Sequence, residues 1–377
     1  MRGWVIGRRL AAPHPAPHPN LLPSIGRSSE RPSFDGLRGE KGPACAASRK
    51  QLALVLLAAL AFASPAFADD APKPCGGHDL EQGVDLRAAR LKRADELMNA
   101  QGLLWRVERE GLAPSYLFGT IHSTDEGAVA IARQAAQYLA SAKVVATELG
   151  GPFDDVDQAN MGAAALAKAM ATDVDTFAPS LAGSKAAAIE DYLGRHGFPK
   201  EMAHHLRLWF LAAAASLPAC ETARSQAGLP EVDQVIAAAG KARGLEVVGL
   251  ETMDEQLDTM ASASPELAAT MLEAAAREPA LDEDSYATLL RLYREKRPTD
   301  MIAVADVLPG LTPQEHAAED EFDHLLLVGR NATMADRAAP LLAKGGAFIA
   351  VGALHLSGRN GLIERFRAMG YRVTNVW

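Results

Sequence analysis

The chain has 377 residues, 48% of them hydrophobic, with 38 Lys and Arg set against 47 Asp and Glu for a formal charge of −9. That length suits one large or two smaller globular domains, and the acidic balance argues against a nucleic-acid partner, which would need phosphate-neutralising cations. Three cysteines without any CxxC spacing leave out a zinc-knuckle scaffold.

Residues 1–48 are rich in Pro, Arg and Gly and show no periodicity. Arg49 and Lys50, an apolar run over 52–62 and the small-x-small sequence Ala66-Phe67-Ala68 then follow in the order of a secretory signal peptide over 49–68, cut after Ala68. The apolar run is too short to span a bilayer. Since a signal peptide belongs at the start of a chain, residues 1–48 read as an over-extended start, the alternative being a disordered arm ahead of a membrane-anchored helix. The leader holds nine basic and three acidic residues, so its removal takes the charge from −9 to −15. Cys45 leaves with it, and Cys75 and Cys220 remain as an even pair able to form one disulfide in an oxidising compartment. Neither follows a lipobox-like sequence. The expected destination is the periplasm or the medium, with no stable membrane anchor in the mature form.

Residues 69–82 read as a linker, 85–99 as a helix and 103–108, LLWRVE, as a strand that opens a hairpin. The next stretch, YLFGTIHSTDEG at 116–127, is a strand of aromatic and β-branched residues, a sharp exit at His122 and a helix start, with Ser123 and Glu126 spaced as a capping box. A helix over 127–140 leads to the strand 143–149, KVVATEL, which carries Glu148 at its end. From 154 to 240 the chain is alanine-rich and helical by period, broken at Pro179, Pro199, Pro218 and Pro230. The strand 244–250 follows, with Glu251 at its exit and a second capping box in Thr252 and Glu255. Helices fill most of 253–342, with breaks near Pro265, Pro279, Pro298 and Pro309. A strand over 347–351 then runs into Gly352-Ala353-Leu354-His355, with Ser357 or Asn360 placed to cap the next helix, and a last strand closes the chain at 371–377. Strands at both ends with helices between them predict an α/β fold: a mixed, largely parallel sheet built from N- and C-terminal βα units, interrupted by a large helical insertion.

The sequence repeats GxxH at two strand exits, Gly119 to His122 and Gly352 to His355. With 31 glycines and 10 histidines, roughly one such string arises by chance, so the context carries the weight. Each histidine ends an apolar strand, and each glycine permits a close backbone approach. If the strands are parallel, His122, His355, Glu148 and Glu251 leave the sheet at one edge, where open α/β sheets bind ligands. Two imidazoles and a carboxylate with one position left to water are the ligand set of a catalytic divalent metal such as Zn, Mn or Co. The plainer reading has both histidines bonding loop backbone and Glu148 capping a helix. Arg330, with Asn331 beside it on a helix, is placed to hold a substrate carboxylate or a developing oxyanion, or else forms a helix-surface salt bridge. His204 and His205 sit on an amphipathic helix within EMAHHLRLWF, and His316, Glu319, Asp320 and His324 follow helical spacing on an acidic face. Structural or solvated roles suit both groups. HExxH, GxSxG, Walker A and GxGxxG are missing from the mature sequence.

These segments together, YLFGTIH with TEL after it, GLPEVDQVIAAAGKARGLEVVGLETMDEQL, GRNATMA and FIAVGALHLSGRNGLIERFRAMGYRV, resemble the TraB/GumN family, which is related to TIKI metallopeptidases and more distantly to erythromycin esterase-like and haem-binding ChaN-like proteins. The resemblance covers nearly all of 103–377. It implies one domain over 102–377 whose site joins His122 and His355, with Glu148 as its acidic member, catalytic or metal-bound, and with Arg330 and Asn331 facing it; Glu251 joins Asn331 as a substrate contact. The sequence departs from the commoner pattern with Pro230 and Glu231 ahead of Asp233, where a glycine and an apolar residue are usual. The implied activity is that of an exported metal-dependent hydrolase acting on a peptide or small molecule, most readily a peptidase. Ligand or haem binding without turnover and metal-free esterase-like hydrolysis stand as alternatives.

Overall fold

The computed structural model describes residues 73–171, 175–177, 181, 183–308 and 310–377. The expected signal peptide, the extension before it, and the breaks at Pro179 and Pro309 lie outside the described residues. The sheet has six strands: β1 (Leu104–Glu108), β2 (Ser115–Thr120), β3 (Val144–Thr147), β4 (Glu246–Gly249), β5 (Ala347–Gly352) and β6 (Arg372–Asn375). Their order is β4-β3-β5-β2-β1-β6. Neighbours from β4 to β2 pair in parallel, and β1 alone runs antiparallel to both of its partners. The first and last parts of the chain therefore build one sheet. The C-terminal strand β5 is inserted between β3 and β2, and β6 forms the far edge.

Fourteen helices surround the sheet among the described residues: α1 (Arg87–Lys92), α2 (Glu126–Ala135), α3 (Asp155–Ala169), α4 (Ser184–Arg195), α5 (Lys200–Ala203), α6 (Leu208–Ala214), α7 (Ala219–Gln226), α8 (Val232–Ala242), α9 (Met253–Ala261), α10 (Pro265–Arg277), α11 (Pro279–Arg294), α12 (Met301–Ala305), α13 (Pro313–Lys344) and α14 (Leu362–Ala368). Prolines 265, 279 and 313 occupy first helical positions, where a missing N–H costs nothing, so the breaks read at Pro265 and Pro279 are helix starts. No described helix is long and apolar enough to cross a membrane.

Side chains alternate along the strands and feed two cores. Phe118, Phe348 and Ala350 pack under α2, α8 and Tyr293 of α11, while Leu117, Ile349 and Val351 pack under Met334, Ala335 and Ala338 of α13 and Phe366 of α14. Coverage on both faces explains why β5 reads as the unbroken apolar run AFIAV. A third core, around Tyr192, Leu193, Trp209 and Leu272, belongs to a helical lobe made of the insertion with α9, α10 and the start of α13.

Three local expectations fail. Asp125, not Ser123, caps α2 by accepting the N–H of Ala128. Ser123 is fully buried, and its hydroxyl is spent on the Asp125 N–H and the Tyr286 hydroxyl. Helix α14 starts after Gly361 without a side-chain cap from Ser357 or Asn360, and the Ser357 hydroxyl bonds Thr299 instead. EMAHHLRLWF is not one helix: the chain turns after α5, where the Arg207 N–H bonds the Ala169 carbonyl. His204 there stacks on Phe177 and bridges Glu190 and Asp175, a structural role. Thr252 and Glu255 do form their capping box.

Cys75 and Cys220 are joined in a disulfide with a Cα separation of 5.5 Å. It ties the segment ahead of α1 to the start of α7 and closes a loop of 145 residues in sequence separation. Opening it frees the unfolded chain, so a Cys75→Ser/Cys220→Ser variant should lose on the order of 2–4 kcal/mol in urea unfolding. Thiol titration of unreduced mature protein should find neither sulfur free.

Candidate functional site

Because β4, β3, β5 and β2 are parallel and adjacent, their C-terminal ends share one edge. Glu251, Glu148, His355 and His122 leave there in that spatial order. The centre of the edge is a buried charge cluster. Glu148 and Glu251 are only 7% and 5% exposed, and two such carboxylates demand a cation. Arg330 of α13 supplies it, donating through Nη2 to Glu148 and Glu251, at 2.7 Å each, and through Nε to both oxygens of Glu251 at 3.0 and 3.1 Å. The Gln256 amide also reaches both acids, at 3.1 and 3.2 Å. The other oxygen of Glu148 accepts the Gly352 N–H at 2.7 Å. A Cβ on Gly352 would lie 3.1 Å from that oxygen, so the glycine of the second GxxH is what lets Glu148 approach the strand. Burial opposes ionisation of Glu148, but the surrounding histidine and Arg330 charges and the Gly352 N–H outweigh it and hold the carboxyl at about 2.

His355 follows β5 on a short 3₁₀ turn and is buried. Its Nδ1 meets Asn331 Oδ1 at 2.7 Å, and since that oxygen only accepts, Nδ1 carries the proton and Nε2 the lone pair. Nε2 lies 3.8 Å from Glu148 Oε1. Burial, with Arg330 and His122 nearby, pushes this imidazole down to about 4 and outweighs the pull of Glu148. His355 is therefore neutral at pH 7, and Glu148 owes its charge to His122, Arg330 and the Gly352 N–H rather than to His355.

His122 is the opposite case. It keeps 61% of its side chain open. Nδ1 lies 3.3 Å from Asp233 Oδ2 and 3.9 Å from Glu231. The charge of Asp233, with Glu148 and Glu231 behind it, raises the imidazole well above the ordinary histidine value. Asp233 is fixed by Thr120, whose hydroxyl donates to Oδ1 at 2.6 Å. Its Oδ2 is buried and makes no hydrogen bond, the approach of His122 being one of charge and not of good geometry. His122, Glu148, Asp233, Glu231 and Gln256 line a cavity of about 220 Å³, with Phe153 and Met161 also on its wall. His355 is not on its wall; it stands behind Glu148.

The sequence-derived residues thus gather at one edge in different roles. Asn331 is 2% exposed and has both amide atoms engaged, with His355 and with the Asn360 carbonyl, so it orients His355 and leaves nothing for a substrate. Glu251 anchors Arg330, and Arg330 is fully employed between the two acids. Thr120, Asp233 and Gln256 escaped the reading; Asp233 lay inside GLPEVDQV, the segment whose Pro230 and Glu231 break the family pattern.

As the side chains stand, His122, His355 and Glu148 do not fit as one metal-ligand set. Both Glu148 oxygens already accept N–H donors, and a guanidinium sits 2.7 Å from one of them. Among the described residues no group of three or more His, Cys, Asp or Glu is placed to share an ion.

Arg330→Met would leave two buried carboxylates without their cation, which should destabilise the chain by about 3–5 kcal/mol in urea unfolding. Adding Glu251→Gln should recover part of that loss. His355 gives a pH dependence of definite sign: the unfolded histidine protonates near its ordinary value, while the folded one resists down to about 4. Between about pH 6.5 and 4 the unfolded chain binds more protons, so stability falls as the pH drops through that window. Melting temperatures should show this slope, and His355→Gln should flatten it.

Comparison with curated proteins and with solved structures returns no match. A model of the TraB/PrgY/gumN family matches residues 103–375, which include every strand of the sheet and every residue of the edge cluster. The chain belongs to the TraB/PrgY/gumN family.

Proposed function

We propose that this chain is a hydrolase of carbonyl-linked bonds, with peptides as its first substrate class, in which His122 and His355 divide the proton transfers around Glu148. The observation that carries the reading is the pair of GxxH exits on adjacent parallel strands. They bring two histidines to one edge in opposite environments, one in a field of carboxylates and the other buried and neutral. Titratable pairs whose surroundings drive them apart are acid and base candidates. In the resting site His122 is an imidazolium open to the cavity, suited to protonate a leaving group or to stabilise a developing oxyanion. Glu148 is placed to accept a hydrogen bond from a water entering the cavity, and the Nε2 lone pair of the neutral His355, 3.8 Å behind it, is the nearest relay for the proton that leaves that water.

A second reading, with a divalent metal, is favoured by one feature: the buried, unbonded Asp233 Oδ2 beside His122 Nδ1. An ion there would be held by His122 and Asp233, with Glu231 nearest to them, and would supply an activated water.

We further take the protein to be exported, since the signal-like segment precedes a chain that carries a disulfide. Intact-mass measurement of periplasmic protein should find Asp69 at the N-terminus.

Such protein, screened against peptides and small esters, should show turnover that falls roughly 10²–10⁴-fold in His122→Gln and in His355→Gln. Activity that survives chelation supports the acid–base reading. Stoichiometric metal, with loss on chelation and rescue by the ion, moves the function to the second. Absence of turnover on every substrate, with a haem-type absorption band in the purified protein, overturns both in favour of binding.

A further inference from the structure

His122 belongs to the walls of two cavities. Beyond the polar one described above, a larger cavity of about 450 Å³ lies between the helical lobe and the strand exit, and its walls are mostly apolar, including Ile121, Leu217, Met271, Ala275 and Leu289. That volume is in the range of about 300–1,000 Å³ that holds a bound organic ligand. The catalytic reading leaves it without a task.

The charges around it are one-sided. Glu278, Asp282, Glu315 and Glu319 line the cavity, and no described Lys or Arg does. Glu315 is matched from outside by Arg277 at 2.6 Å. Asp282 accepts only the Tyr192 hydroxyl, a neutral partner, among its described hydrogen bonds. The one histidine on the wall, His122, is itself paired with Asp233. An anionic guest would therefore meet four carboxylates, answered by Arg277 from outside the wall and by a His122 already paired with Asp233, whereas an apolar guest with a neutral or basic group would be accepted. Helical spacing alone suits Glu319 to a solvated acidic face, and its place on this wall gives that face a different use.

We propose that this cavity binds the part of the substrate next to the scissile bond, and that this part is an apolar peptide segment whose polar groups are neutral or basic but not acidic. The inference rests on the hydrolase reading above. The peptide crosses His122, with its reacting carbonyl in the polar cavity and its apolar side chains in the larger one. Selectivity then comes from two sources, burial of apolar side chains and rejection of acidic ones.

The test separates binding from turnover. N-phenyl-1-naphthylamine, an uncharged apolar fluorophore, is titrated into the mature protein and displaced by acetyl-Leu-Phe-Leu-Lys amide or by its counterpart ending in Glu amide. The lysine peptide should displace the fluorophore at least tenfold more tightly. Ala275→Trp on α10 and Ser285→Phe on α11 fill the cavity from two helices, and each should weaken fluorophore binding tenfold or more while the melting transition stays cooperative. If both variants fail to fold, the Lys-over-Glu ratio on the unaltered protein still decides. In the turnover arm, kcat/KM for apolar peptides should exceed that for acidic ones, and the ratio should fall in the filled variants. Equal displacement by the two peptides, or fluorophore binding that the filled variants do not change, overturns the proposal. Cleavage with no apolar preference overturns it and leaves the hydrolase reading intact, whereas selective displacement with no cleavage of any peptide upholds the cavity's ligand class and sinks the hydrolase reading.

Discussion

One guanidinium between two buried carboxylates sets the arrangement of the sheet edge. Glu148 and Glu251 arrive at the ends of neighbouring strands, and neither is tolerable there as a lone charge. Arg330 satisfies both, which fixes where α13 must cross the edge. That helix has 32 residues and serves two cores: Ala318 packs in the helical lobe, while Met334, Ala335, Ala338 and Leu342 cover the sheet. Arg330 falls between the two sets. The same contact that offsets one of the two negative charges at the edge thus also sets the lobe against the sheet, and Arg337, about two turns further along the helix, holds the loop after β4 through the Leu250 carbonyl and α9 through Glu255.

The balance of charge carries over to His122. Two carboxylates and one guanidinium leave the cluster negative by one, and Asp233 adds a second negative charge nearby. The imidazolium of His122 is the group that answers them. Its mobility is limited from several sides: the Val232 N–H holds the Ser123 carbonyl, Tyr286 holds the Ser123 hydroxyl, and Glu221 and Arg224 of α7 bind the backbone of Thr124. Cys220, whose disulfide tethers α7, adjoins Glu221. A side chain open to the cavity on a loop fixed at each residue after it is the combination a preorganised site requires.

Much of this was legible in the sequence because it depends on local pattern. Apolar runs with a glycine three residues before a histidine mark strand exits, and right-handed βα connections in a parallel sheet send such exits to one edge. That both ends of the chain build one sheet follows from where its strands gather. What stayed illegible depends on depth and on partners distant in sequence. No local feature shows that β5 lies inside the sheet, between β3 and β2, so nothing marked His355 as the buried histidine and His122 as the open one. Asn331 read as a substrate contact because its position facing the site was visible while His355 and Asn360, which use up its amide, were not. Asp233 follows Pro230 and Glu231, which depart from the family pattern, so nothing local singles it out, yet it is the acid nearest His122. Ser123 read as a helix cap because spacing alone cannot show that Tyr286, 163 residues later, claims its hydroxyl.

The two GxxH units are alike as strings and unlike as chemistry. In the second, the N–H of the glycine holds Glu148 and the histidine faces Asn331, so burial prevails and the ring is neutral. In the first, the glycine makes room for Ala353 and Leu356 of the second turn, and its carbonyl accepts the Tyr293 hydroxyl, while the histidine is carried out toward Asp233. The first glycine therefore lets the second turn settle close, and the second glycine lets the carboxylate settle close. Each unit shapes the environment of the other's histidine. A symmetric pair of ligands would require equal environments, and this stacking of one turn on the other makes them unequal: one imidazole is pressed inward against an ionised glutamate, and the other is left at the mouth of the cleft among acids that keep it charged.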